Sequence, residues 1–535
     1  MAQPDLDYLI IGSGFGGSVS ALRLSEKGYA VAVLESGRRF ADHEFPKSTW
    51  DLRRYFFAPR LGMKGILRMS VFKDVFIVSG AGVGGGSLGY ANTLYRPKAK
   101  STFYRDPQWA DLDPDWEATL RPHYDEAEHM LGVADVTTED PADGLLRSFG
   151  EHLGVGDSYA KTRVGVHFGA GPGVVSPDPY FGGAGPDRTG CEACARCMVG
   201  CPHGAKNTLV KNYLYLAEQR GVRVHAETEV IDIRPLAAAD GADGYVVTME
   251  RTGRWMRRQR RTLRVRNVIV AAGALGTNKL LAQCKLSGSL PMISDRLGEM
   301  VRTNSEAILA VTLPRELAGM NRRVAISGSI YPDANTHIET VTYGEAGNSM
   351  GLLYTLLVGD GTRVTRPLKL LAAIARHPAR FARICSKRDY SRRTIFLLVM
   401  QSLDNAMALR ARPTRGGRVR LQTEQDPDRP NPTFIPVANQ AAAWIAEQTG
   451  GIAQSSVMEA VANIPSTAHI LGGAVIGSGP DTAVVDRDHR VFGYRGLYVC
   501  DGSVVPANVG VNPSLTITAL TERAMSRIPA KGTAS

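Results

Sequence analysis

The first 35 residues commit the chain to one kind of architecture. Asp7-Tyr-Leu-Ile-Ile11 reads as a buried strand and runs straight into Gly12-Ser-Gly-Phe-Gly-Gly17. A helix is expected over Ser18 to Lys27, stopped by Gly28, and Tyr29 to Leu34 reads as a second strand ending at Glu35. This is a complete βαβ unit for a dinucleotide. Gly12 makes the tight turn, Gly14 lets the backbone approach a pyrophosphate, and Gly17 lets helix and strand pack closely. The unpaired N–H groups at the helix start attract the phosphates. Glu35, 18 residues past Gly17, is placed to bind a ribose hydroxyl, and a carboxylate there disfavours a 2′-phosphate.

Glycine is abundant, 57 of 535 residues, and clustered. The second cluster, Ser79-Gly-Ala-Gly-Val-Gly-Gly-Gly-Ser87, has the length of a backbone wrapped around a ligand, with Gly82, Gly84, Gly85 and Ser87 as candidate contacts. Val268-Ile-Val-Ala-Ala-Gly-Ala-Leu-Gly276 returns to strand, turn and helix, and short apolar strands recur from about residue 463. The fold class expected is α/β (α+β overall). A Rossmann-like cofactor domain would be woven from segments 1–100, 191–300 and 463–535. Segment 101–190 reads as mixed helix and loop on the substrate side, and 301–462 as an inserted substrate domain on a mixed or antiparallel sheet.

A net charge of +11 admits nucleic acid, an anionic cofactor or an acidic membrane surface. No nucleic-acid motif accompanies it. The run Arg254-Trp-Met-Arg-Arg-Gln-Arg-Arg261 reads as a solvated hairpin tip. Pro367 to Ile384 reads as a basic amphipathic helix broken at Pro378, suited to peripheral membrane contact. Neither a signal peptide nor an apolar span is visible, so the expected location is cytoplasmic. Four of seven cysteines fall in Cys191-x2-Cys194-x2-Cys197-x3-Cys201, the spacing of a ferredoxin run. That spacing allows an iron–sulfur cluster, zinc, a redox disulfide or a loop of reduced thiols.

The end of the chain is the most specific part. It reads Ala468-His469-Ile-Leu-Gly-Gly-Ala, then Leu497-Tyr-Val-Cys-Asp501-Gly-Ser-Val-Val-Pro506, then Gly510-Val-Asn512-Pro513-Ser-Leu-Thr-Ile-Thr-Ala. With the opening unit and the Gly82–Ser87 loop, this resembles the glucose–methanol–choline family of FAD-dependent oxidoreductases. Within that family it is similar to bacterial, mycobacterial-type cholesterol oxidases that hold FAD non-covalently. The resemblance implies His469 and Asn512 as paired catalytic residues and Glu339, in Thr336-His-Ile-Glu-Thr-Val, as a carboxylate over the steroid. It also implies flavin contacts at Asp501 and Gly502, with Val230 in the cofactor set. Where the relatives carry an Asn three residues after the loop serine this chain has Tyr90, so Asn92 is the candidate substitute through a shift of register.

These residue types suit alcohol oxidation. A secondary alcohol is a very weak acid, so its proton needs a positioned acceptor while the hydride leaves for the flavin. Histidine suits that role near neutral pH, and asparagine orients the oxygen without titrating. A buried Glu339, its pKa raised by desolvation, would move a proton between C4 and C6 of a Δ5-3-ketone. Its neighbour His337 is read as facing the other way. The reaction expected is oxidation of a sterol 3β-hydroxyl with oxygen as acceptor. The competing readings are a dehydrogenase of another bulky hydrophobic alcohol serving an electron carrier, and a non-catalytic flavin- or lipid-binding protein.

Overall fold

The computed structural model describes residues 6–254 and 259–533. Its first sheet contains the opening βαβ unit. Strand Leu6–Ile11 lies parallel to Val31–Leu34 on one side and to the second half of Arg261–Val270 on the other. Arg223–His225 extends one edge, and Leu497–Val499 pairs in parallel with Val268–Val270. Every residue of Val31–Leu34 is buried, as a parallel sheet covered on both faces requires. The first half of Arg261–Val270 instead pairs antiparallel with Tyr245–Arg251, which pairs with Thr228–Pro235. The basic run Arg254–Arg261 joins these hairpin strands, and its residues 255–258 lie outside the described residues.

The first helix spans Phe15–Glu26 and begins earlier than its Gly16-Gly17 pair suggests. Close packing explains the difference. A Cβ on Gly16 would lie 1.8 Å from the Cys500 carbonyl oxygen, and one on Gly17 would lie 2.1 Å from that of Gly12. The glycines cost helix propensity but admit the backbones of two other segments.

Segment 101–190 is divided between the two sides, where the sequence reading put all of it with the substrate. Helix Trp116–Met130, capped by the Asp115 side chain and carrying Pro122 inside, packs with the first helix and with Ser514–Ser526 on the cofactor side. Helix Pro141–His152 and the short strand Ala160–Lys161 belong to the substrate side.

The second large sheet is antiparallel throughout. Its order is Tyr354–Leu356, Ile452–Ser456, Ala307–Thr312, Thr394–Gln401, Thr336–Val341, Ile326–Ile330 and Ala160–Lys161. Strand alternation gives each face its own task. Ile395, Leu397 and Val399 pack against helices Pro141–His152 and Pro436–Thr449, whereas Phe396, Leu398 and Met400 face the cofactor side. A small third sheet joins Ser466–Thr467, Phe76–Gly80 and Leu67–Val71. It launches both the glycine loop after Gly80 and the segment carrying His469. No helix among the described residues is long and apolar enough to cross a membrane.

Candidate active site

A cavity of about 1760 Å3 runs between the two large sheets. That exceeds the roughly 300–1,000 Å3 of an ordinary small-ligand pocket and leaves room for a cofactor and a substrate together. Gly12, Gly14 and Glu35 line one part of it, with Gly85, Val230, Asp501 and Gly502. Around Gly14 the nearest atom to an added Cβ is the Gly85 Cα, 4.0 Å away, and the first helix starts there with no side-chain cap. Uncapped N–H groups beside open space fit a pyrophosphate. Glu35 is held at the cavity wall by its own turn: Ser13 N–H (3.1 Å) and Ser13 Oγ (2.8 Å) donate to Oε2, and Gly37 N–H (2.7 Å) donates to Oε1. These residues fit a dinucleotide such as FAD.

The remaining glycine-loop candidates act on the loop itself. Gly82 and Gly84 take φ of +116° and +106°. Ser87 Oγ donates to the Gly84 carbonyl (2.7 Å) and accepts from Leu209 N–H (3.1 Å). None of these three lines the large cavity, nor does Gly17, which is spent on packing. Asp501 lines it but offers no free carboxylate. Gly273 N–H, Thr277 Oγ1, Ser503 N–H and Ser503 Oγ all donate to its two oxygens, filling about four lone-pair sites.

The C-terminal block converges on the substrate part of the cavity. His469 and Asn512 both line it. Glu339 is fully buried on strand Thr336–Val341, opposite Leu398, whose face of the sheet it shares. The Asn512 amide Nδ2 donates to Glu339 Oε2 at 3.4 Å, while Asn512 Oδ1 and Glu339 Oε1 have no hydrogen-bond partner among the described residues. Burial pushes the Glu339 carboxyl up to about 8; the charge of Glu306 adds to the rise and the Asn512 hydrogen bond opposes it. Ile308, Val341, Met350, Tyr354 and Phe396 make the surrounding wall apolar. His337 does not face away. Two residues from Glu339 on one strand, it shares that face, stacked on Tyr331 at 4.5 Å between ring centroids. Burial pushes its pKa down to about 3.

The sequence reading missed Glu306. The His469 Nδ1 is hydrogen-bonded to Glu306 Oε1, and Ala468 N–H donates to Glu306 Oε2 at 2.7 Å. With Nδ1–H directed at a carboxylate, Nε2 is left as the acceptor. The short segment Arg302–Glu306 threads between the two catalytic loops. Arg302 and Leu471 exchange backbone hydrogen bonds at 2.9 Å each way. Asn304 brackets the other loop, donating from Nδ2 to the Val511 carbonyl (3.0 Å) and accepting from Gly510 N–H at Oδ1 (2.8 Å). No motif marks this segment; its role appears only when the chain closes on it.

The cysteine loop lies apart from the large cavity. Cys191, Cys194, Cys197 and Cys201 line a separate void of about 20 Å3, roughly the room of one water. All four are free thiols, and burial pushes Cys191 up to about 12 and Cys197 up to about 11. Among the described residues no group of three or more His, Cys, Asp or Glu is disposed to hold a metal ion. The iron–sulfur and zinc expectations therefore find no support in this arrangement. Asn92 lines this void and not the cofactor cavity, so the register shift suggested for it fails; Tyr90 keeps the cavity position. Lys206 ties the loop to the cofactor side, its Nζ donating to the carbonyls of Leu88 (3.0 Å), Tyr90 (2.7 Å) and Cys197 (2.9 Å).

The chain is similar to known proteins. Profiles described as GMC oxidoreductase match residues 184–298 and 418–521, and one described as NAD(P)-binding Rossmann-like domain matches residues 10–52. The chain is 49% identical to a cholesterol oxidase of Mycobacterium tuberculosis, over 99% of this chain and 92% of that one. It is 47% identical to a cholesterol oxidase of Acinetobacter baumannii, over 99% and 95%. The crystal structure of pyridoxine 4-oxidase from Mesorbium loti superposes with a TM-score of 0.63 at 14% identity, covering 98% of this chain and 99% of that one.

Proposed function

The chain belongs to the GMC oxidoreductase family, and from that premise we propose that it oxidises the 3β-hydroxyl of cholesterol, or of a closely related sterol, to the ketone and uses oxygen as electron acceptor. One observation carries the reading: a single cavity joins a dinucleotide cradle to a largely apolar chamber lined by His469 and Asn512, with the buried Glu339 hydrogen-bonded to Asn512 behind the wall. FAD, when bound, supplies the hydride acceptor. His469, its Nδ1–H engaged by Glu306, takes the hydroxyl proton at Nε2. Asn512 uses one amide N–H on Glu339 and keeps the other, with its unpartnered Oδ1, for the hydroxyl. Burial pushes the Glu339 carboxyl up to about 8, so its ionised form is a stronger base than an ordinary carboxylate. In that form it takes a proton from C4 of the Δ5-3-ketone and returns it at C6, giving the conjugated Δ4-3-ketone. The apolar wall binds the rings without choosing among alcohols by hydrogen bonds, so selection falls to shape and to the His469–Asn512 pair.

The test is an anaerobic visible spectrum before and after cholesterol is added. Flavin bands should bleach with sterol and return in air with formation of hydrogen peroxide. Bands that bleach but stay bleached in air would make the protein a dehydrogenase serving a carrier, and bands that never bleach would overturn the sterol assignment. His469→Ala should slow the bleaching by roughly 10²–10⁴-fold.

A further inference from the structure

The segment read as an amphipathic helix folds as two, Thr365–Arg376 and Pro378–Cys385, broken at His377. The first is apolar on two opposite faces. Leu370, Ala373 and Ile374 point inward onto Leu356, Val358 and Ile452. Val364, Leu368 and Leu371, spaced by four and three residues, form the other face and are 69%, 60% and 63% exposed. Three large aliphatic side chains in one helical row in water mark an interaction site, unlike single exposed ones. The exposed charge beside them is mainly positive. Residues 361–388 hold eight Lys and Arg and no Asp or Glu; Arg366 is buried near Glu459 and Arg363 pairs with Asp74, whereas Arg376, Arg380 and Arg383 are exposed.

We propose that this helical hairpin docks the protein on an anionic lipid bilayer, with Val364, Leu368 and Leu371 in the interface and Arg376, Arg380 and Arg383 over the headgroups. An exposed apolar row flanked by basic residues is the pattern of a helix lying in the plane of a membrane surface. The excess of exposed positive charge on Arg376, Arg380 and Arg383 selects acidic headgroups. Position supports the same occupant. The hairpin packs on the turn Asn348–Leu353 and the strand Tyr354–Leu356, and Met350, Leu353 and Tyr354 of that wall line the cavity. The docking helices and the apolar chamber therefore share a wall. The inference rests on the sterol reading only for its purpose, because a substrate insoluble in water has to be taken from a membrane.

Sedimentation of the holoenzyme with sterol-free vesicles tests it independently of turnover. Vesicles of phosphatidylcholine mixed with phosphatidylglycerol should carry the protein down, phosphatidylcholine alone should carry far less, and added salt should release it. Leu368→Asp with Leu371→Asp should weaken binding to the anionic vesicles at least about tenfold, as should Arg376→Glu with Arg380→Glu and Arg383→Glu. Both variants should retain wild-type turnover of detergent-dispersed cholesterol. Equal sedimentation of wild type and both variants, or none by the wild type, would overturn the proposal. So would a vesicle-free dimer abolished by the leucine substitutions, which would assign the row to a second copy.

Discussion

Glu306 stands behind His469 as seen from the cavity, touching the imidazole at Nδ1 and lining none of the chamber. It is a positioning residue, and its removal should separate turnover from binding. Glu306→Gln is expected to lower kcat by roughly 10–10³-fold with KM little changed, and Glu306→Asp to restore part of the loss. Glu339 gives a different signature. Its pKa rises on folding from 4.5 to about 8, so the native state holds a proton that the unfolded state releases between those values, and stability is lost as pH climbs through that window. Glu339→Gln is neutral at every pH. Its Tm should match wild type below about 4.5, exceed it increasingly toward about 8, and level off beyond. The same variant should accumulate the Δ5-3-ketone, read by the missing conjugated product. Of these residues, His469 and Asn512 stand out in the sequence because each sits among glycines and prolines in a distinctive string. Glu339 has no such setting, and Glu306 follows Thr303-Asn-Ser with nothing to mark it, because its importance comes from contacts 163 residues away.

At the scale of elements, the glycine loop and the opening turn meet backbone to backbone. A Cβ on Gly85 would lie 2.6 Å from the Gly14 Cα, and Gly85 also takes a φ of +54°. Gly85→Ala should therefore push the two loops apart where the pyrophosphate fits, and the purified variant should carry clearly less flavin per protein than wild type by its visible-to-ultraviolet absorbance ratio. The opening βαβ unit was readable because strand, turn and helix are consecutive and locally coded. The antiparallel character of the substrate sheet was only partly readable, since its seven strands are gathered from residues 160 to 456. The helix Trp116–Met130 was lost to a loop-rich reading because Pro122 interrupts its pattern, and its packing side depends on a helix nearly 400 residues later.

At the scale of the whole molecule, Arg302 fastens distant segments together. Fully buried, it donates to Asp106 (3.1 Å), Asp404 (2.8 Å), and the carbonyls of Asn405 (2.8 Å) and Pro506 (2.9 Å). Arg302→Ala leaves buried Asp106 without its counter-charge and should cost about 3–5 kcal/mol of stability, seen as a lower Tm. Because the same residue begins the segment between the His469 and Asn512 loops, the folded fraction should also turn over slowly. The packing of the first helix against Ser514–Ser526 has a consequence for biosynthesis. At 5–20 residues per second, a ribosome needs roughly 25–100 s to make the intervening 500 or so residues. Throughout that time Val19 and Leu22 lack the partners Leu515 and Leu520 that later cover them. The nascent chain thus exposes this apolar face until its last helix is made, and any product terminated before residue 512 lacks both that cover and Asn512.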